Sequence, residues 1–281
     1  MYETMKFLTQ IQPPRNYKNL DSLNNVAQFI YDHFESFKLE VSFQEYEVDG
    51  KIYKNVIGIL NPHLDKTLIV GGHYDVCGDI QGADDNASAV AGVIESARQL
   101  SKLSNKINFS IQFVCFTLEE PPYFNTKNMG SYIHAQSLKE ENIDVIGMIN
   151  YEMIGYFSDE EGSQSYPNEL MGLLYPTSGN FIANVSNEDS KGFLNILNFD
   201  SVKKNIDSYD FVFPDNFELL YLSDHMNYWD FGFPAIMITD TAFLRNPNYH
   251  KESDTIETIN FEKMQYVVDM VVNTVVRLDY V

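Results

Sequence analysis

The chain has 281 residues, 44% of them hydrophobic, with no low-complexity tract or linker-like stretch, which argues for one continuous unit over 1–281 rather than linked domains. Its 40 acidic residues against 19 basic ones give a net charge of −21. A field of that sign excludes nucleic acid and anionic membrane as partners and suits metal ions or protonated amines.

The N-terminal stretch MYETMKFLTQIQPP lacks the basic and apolar regions of a signal peptide. No apolar run reaches the roughly 18 residues a membrane span needs. The expected location is the cytoplasm, or the periplasm or exterior if a leader has been removed. Residues 20–37 carry apolar side chains at helical spacing. LEVSFQEYEV and KIYKNVIGIL read as strands joined by a hairpin at Asp49-Gly50. This N-terminal helix and hairpin, 1–60, are expected to be integral to the unit. KTLIVGG is an apolar strand of the kind buried on both faces, and NASAVAGVIESARQLSKL is a small-residue helix.

The alternation continues with INFSIQFVCFTLEE as a strand, MGSYIHAQSLKE as a helix and IDVIGMINYEMI as a strand. LMGLLYP and PAIMITD are expected as further strands, and FEKMQYVVDMVVNTVVRL as the last helix. The predicted fold class is α/β, a three-layer α/β/α sandwich around a mixed, mostly parallel central sheet. Cys77 and Cys115 form no disulfide framework, and Cys115, inside IQFVCFTL, reads as a buried inert thiol.

Four apolar strands or segments end in metal-ligand residue types. LIVGGHYDVCGDIQGADDN brings His73, Asp75, Asp84 and Asp85. The second ends in Glu119 and Glu120, the third in Glu152, and NPNYHKESDT carries His250. Alone, a Glu-Glu pair is an ordinary solvated feature, a histidine after a strand is ordinarily structural, and GADDN can be a turn whose Asp85 or Asn86 caps a helix. Together, at the carboxyl ends of strands where open α/β sheets bind ligands, they point to a metal centre. Two histidines and several carboxylates suit a pair of divalent ions about 3.5–4 Å apart. Metal would then offset the repulsion of the crowded acids.

GGHYD, GADDNASAVAGVIE, TLEE, Gly130-Ser131, NYEMIGY, SDHMNYWDFGFPA and NYHKESDT occur in that order. Over residues 55–260 this set closely resembles the co-catalytic dizinc aminopeptidases of the bacterial leucyl aminopeptidase type, whose wider family includes glutamate carboxypeptidase II and the glutaminyl cyclases. The resemblance implies a zinc-exopeptidase sandwich, two Zn2+ (or Co2+ or Mn2+) and a peptide substrate with a free N-terminus; oligomeric state stays open. It assigns His73 and Glu152 to one metal, Glu120 and His250 to the other, and Asp85 as the bridge. It makes Glu119 the general base, Asp75 the acid that hydrogen-bonds His73, Asp254 a similar support near His250, and Tyr249 an oxyanion donor. Ser223, Asp224 and His225 match a motif near the substrate side, as support or as contact.

The resemblance also implies a cis Asp85–Asn86 peptide and divergent Glu119 and Glu120 side chains. Two features depart from it: Glu152 stands where an aspartate is usual, and EEPPYFNTKNMGS is long, with Pro121 to Phe124 expected to stiffen a loop at the pocket rim. Segments 157–169 and 208–218 are expected as pocket-walling loops. The implied activity is hydrolysis of the N-terminal residue by water between two zinc ions. The alternative is a glutaminyl-peptide cyclotransferase with one zinc, whose motif departs from GADDN at Asn86. A non-catalytic relative is disfavoured because all five ligand positions and Glu119 are filled. A carboxypeptidase needs cations for the substrate carboxylate, and of the four arginines (Arg15, Arg98, Arg245, Arg277) only Arg245 lies beside a site motif.

Overall fold

Asp49 and Gly50 both take positive φ, 51° and 74°, as a tight two-residue hairpin requires, and they join β1 (Glu40–Val48) to β2 (Lys51–Leu60). The structure is a computed structural model describing residues 1–201 and 205–278; the final residues of the 1–281 unit lie outside it. The other strands are β3 (Lys66–His73), β4 (Ser110–Phe116), β5 (Asp144–Glu152), β6 (Phe181–Asn187), β7 (Asp207–Phe213) and β8 (Ala235–Thr239). They form one sheet in the order β1-β2-β4-β3-β5-β8-β6-β7. The central run β4-β3-β5-β8 is parallel, so four carboxyl ends meet on one edge. The hairpin joins it antiparallel through β2–β4, and β6 is antiparallel to β8 but parallel to β7.

Alternation along β3 shows why the sheet is covered on both faces. Leu68 and Val70 face one core with α1 (Tyr2–Gln10), α2 (Leu20–Ser36), α3 (Ala89–Ser101), α5 (Lys191–Leu197) and α7 (Phe261–Arg277). Ile69 faces the other with Ala135 and Leu138 of α4 (Gly130–Glu140) and Tyr228 of α6 (His225–Asp230). The architecture is the predicted α/β/α sandwich with a mixed, mostly parallel sheet. No helix among the described residues is long and apolar enough to cross a membrane.

Three local expectations are corrected. LMGLLYP is no strand: Glu169–Leu173 is a 3-10 turn, started by Asn168 accepting from the Leu170 N–H. Its leucines 170, 173 and 174 are 65%, 80% and 80% exposed, so the apolar run marks surface rather than core. Segment 208–218 contains a strand, β7, because Tyr209 and Phe211 pack on Phe181 and Tyr175. Neither Asp85 nor Asn86 caps α3, which follows a π-type turn, Ala83–Ser88, with non-helical dihedrals at both.

Candidate metal centre

β3, β4 and β5 deliver His73, Glu119–Glu120 and Glu152 to the shared edge; the turn before α3 adds Asp85 and a loop after β8 adds His250. Asp85 sits between the two histidines: Oδ1 lies 3.5 Å from His73 Nε2 and Oδ2 3.0 Å from His250 Nε2. Glu152 Oε2 and Glu119 Oε2 lie 3.4 and 3.6 Å from His73 Nε2. Glu120 Oε2 lies 3.4 Å from His250 Nε2. The successive glutamates thus divide between the histidines, and the Asp85–Asn86 peptide is cis.

His73 Nδ1 lies 3.2 Å from the Asp75 main-chain oxygen. A carbonyl only accepts, so Nδ1 carries the proton in the neutral ring and the Nε2 lone pair faces the cluster. The Asp75 carboxylate lies beside the same nitrogen, Oδ1 3.6 Å from Nδ1, and it also accepts from the N–H groups of Glu119 and Glu120, at 3.2 and 3.1 Å. It fixes the tip that follows β4. Asp254 likewise accepts from the N–H groups of Asp84 and Asp85, so it positions the Asp85 turn rather than His250.

Glu152 is oriented by Asn86 Nδ2 at 3.0 Å and Ser223 Oγ at 2.6 Å, and Ser223 accepts from Asn150. Ser223 is therefore support for Glu152. The buried His225 donates from Nε2 to the Leu220 carbonyl. Asn86 also accepts from the Met153 N–H. Leu118, Met153 and His250 hold φ of 61°, 49° and 55°. Left-handed backbone at non-glycine residues is uncommon and clusters where structure serves function; here it adjoins Glu119, Glu152 and the imidazole of His250.

Tyr249 stacks on His250 at 3.9 Å and 18° and, with Glu152, opens onto an apolar pocket walled by Met171, Val185, Phe211, Phe213 and Phe217. Gln164, Tyr166 and Pro167 also line it, so both segments expected to wall a pocket contribute. The proline-rich loop after Glu120 does not line it. Tyr123 instead bonds Asp49 and packs edge-on against Tyr17. Arg245 is buried, donating to Gln164 Oε1 and the Phe181 carbonyl with its guanidinium 4.6 Å from the Phe181 ring.

The donor set fits zinc. Asp85, Glu119, Glu120 and Glu152 are buried around two imidazoles, and Glu120 Oε1 has no hydrogen-bond partner. Buried carboxylates that are neither paired nor metal-bound are strongly disfavoured. Desolvation pushes Glu119 and Asp84 well above the usual carboxylate range, Glu120, Asp224 and Asp254 up to about 7, and Asp240 up to about 6. For His250, burial alone would lower the pKa, but hydrogen bonding to Asp85, Cys77 and Glu120 overrides it and takes it to about 12.

These directions set the stability of the metal-free protein. A group whose pKa is higher folded than unfolded contributes stability below its unfolded pKa, and that contribution is lost as pH rises through the folded value. Burial lowers His134 to about 3 and His225 to about 4, which opposes this trend only below about pH 6.5, the ordinary imidazole value. The melting temperature in chelator is therefore expected to fall between about pH 6.5 and 8, and saturating zinc should flatten the profile. A flat profile in chelator would contradict an unneutralised acid cluster.

The carboxyl edge of the sandwich thus gathers two histidines and four carboxylates into a candidate metal site. Residues 55–275 match the model of peptidase family M28; the chain belongs to that family. It is 39% identical over 279 residues to the uncharacterized protein YfbL of Escherichia coli (strain K12), covering 96% of this chain and 85% of that one. It is 26% identical over 226 residues to aminopeptidase YwaD of Bacillus subtilis (strain 168), covering 78% of this chain but 43% of the relative. The chain thus spans less than half the length of that relative. Among solved structures, a leucine aminopeptidase precursor from Bacteroides thetaiotaomicron matches with TM-score 0.73 at 17% identity, over 99% of this chain and 96% of that one. A glutaminyl cyclase from the same organism matches with TM-score 0.72 at 16% identity, over 99% and 97%. Both share the fold, which leaves the reaction to the site.

Proposed function

We propose that this protein is a zinc-dependent aminopeptidase, acting as one unit across residues 1–281, that removes the N-terminal residue of peptides at a two-zinc centre. The observation that carries the reading is Asp85, with one carboxylate oxygen turned to His73 and the other to His250. In it, His73 and Glu152 would hold one zinc ion and Glu120 and His250 the other, with Asp85 shared between them. The bound ions would supply Lewis acidity toward the scissile carbonyl and acidify water for attack.

Glu119 takes the proton of the attacking water and passes it to the leaving amine. Its burial raises its proton affinity, which suits a group that must accept a proton and then release it. Tyr249, whose hydroxyl burial keeps protonated, would donate to the oxyanion. Asp75 and Ser223 hold Glu119 and Glu152 in position. The apolar pocket beside Tyr249 receives the side chain of the residue removed, so Leu, Met and Phe are favoured over Glu or Lys, and the acidic field draws in the free ammonium group.

The test is mass spectrometry of peptides that differ only at the first residue (Leu, Phe, Ala, Glu, Gln), each also N-acetylated, with zinc-loaded and chelated protein. Metal-dependent loss of the first residue from free but not acetylated peptides, fastest for Leu and Phe, is expected. Loss of ammonia from the Gln peptide alone would replace the proposal with a cyclotransferase.

A further inference from the structure

We propose that Cys77 is a thiolate ligand of the cation held by Glu120 and His250, making that half of the centre a sulfur-containing site that selects zinc over harder divalent ions. The proposal rests on the metal-centre reading above and adds a donor to it. The Cys77 sulfur and the ligand atoms of Glu120 and His250 all lie within 4.8 Å of one another. Glu120, 4% exposed, has one oxygen with no hydrogen-bond partner. With Asp85 Oδ2, at 3.0 Å from His250 Nε2, these atoms supply sulfur, nitrogen and carboxylate oxygen, donor types that zinc takes.

The thiol's backbone is held on both sides by the N-terminal segment. The Val76 N–H donates to the Arg15 carbonyl at 3.2 Å, and Asn16 Nδ2 donates to the Gly78 carbonyl at 2.6 Å. Arg15 Nε further donates to the Tyr74 carbonyl at 2.7 Å. A cysteine on a free loop would sample many positions; this one is held facing the Glu120–His250 pair. The other half of the centre, His73 with Glu152, offers only nitrogen and oxygen. The two halves should therefore differ in metal preference, because soft thiolate favours zinc and cadmium while carboxylate and imidazole also accept manganese.

The experiment is cobalt substitution of the full chain, read by absorption spectroscopy alongside metal content. The wild type is expected to show a near-ultraviolet sulfur-to-cobalt charge-transfer band that Cys77→Ser lacks, with circular dichroism unchanged. Zinc affinity of one of its two sites should fall about ten- to a hundredfold in the variant, on the scale of other disturbed metal environments, and the preference for zinc over manganese at that site should shrink. Cobalt bound to the wild type without such a band overturns the thiolate assignment and leaves the metal centre standing. No cobalt bound at all overturns both. Since the band is read in the wild type, a variant that folds poorly does not spare the proposal.

Discussion

Glu119→Gln is expected to retain its zinc and lose about a hundred- to ten-thousandfold in turnover, the range a positioned general base contributes. The substitution keeps size and shape, and the residue's backbone N–H still reaches Asp75 Oδ1. His73, Asp85, Glu120, Glu152 and His250 keep their mutual arrangement because none depends on the Glu119 side chain for position. What disappears is the proton acceptor 3.6 Å from His73 Nε2. Turnover on a leucyl peptide, measured on protein of known zinc content, separates the two effects. Full turnover with zinc bound would move the base elsewhere; loss of zinc would make Glu119 part of the binding set.

Arg15→Leu is expected to destabilise the metal-free protein by about 3 kcal/mol, the scale of leaving buried hydrogen-bonding groups without a partner. Arg15 is 1% exposed, and its guanidinium donates to the carbonyls of Tyr74, Leu8, Gln81 and Gly82. Three of those four belong to the segment between His73 and Asp85. The guanidinium thus ties α1 to the loop that carries Asp75 and Cys77, and removing it loosens that loop as well as the fold. Desolvation lowers its pKa to about 10, so it stays charged at neutral pH. A melting temperature lower by on the order of 5–10 °C, with weaker zinc binding, is the expected result. Arg15→Lys should fall between, since an ammonium lacks the five-donor fork. An unchanged melting temperature would mean that water satisfies all four carbonyls.

The cluster was readable in the sequence because its chemistry is dense: ligand-type residues at the ends of consecutive strands need no knowledge of distance to be noticed. Residues that act through main-chain atoms were less visible. Arg15 looks like any surface arginine until its four carbonyl partners are seen. Asp75 does lie beside His73, but nothing in the sequence tells that it and Asp254 also take up backbone N–H groups. β6 and β7 are hidden in the sequence because FIANVSN and DSYDFVF bury polar groups that pair with each other, as Asn184 does with Ser208 and Asp210. An apolar-run criterion cannot find such strands, and the same criterion made a strand of the exposed leucines near 170. Cys77 lay two residues past Asp75, but spacing alone says nothing about which way a loop side chain points.

The two-zinc centre around Asp85 is tested most directly by counting zinc in the purified, dialysed protein by mass spectrometry of the element. Two zinc ions per chain are predicted, falling to one in His73→Ala or His250→Ala and to none or one in Asp85→Ala. A single zinc per chain at saturation, unaltered by one of the histidine substitutions, would contradict a bridging Asp85 and favour the one-zinc cyclotransferase.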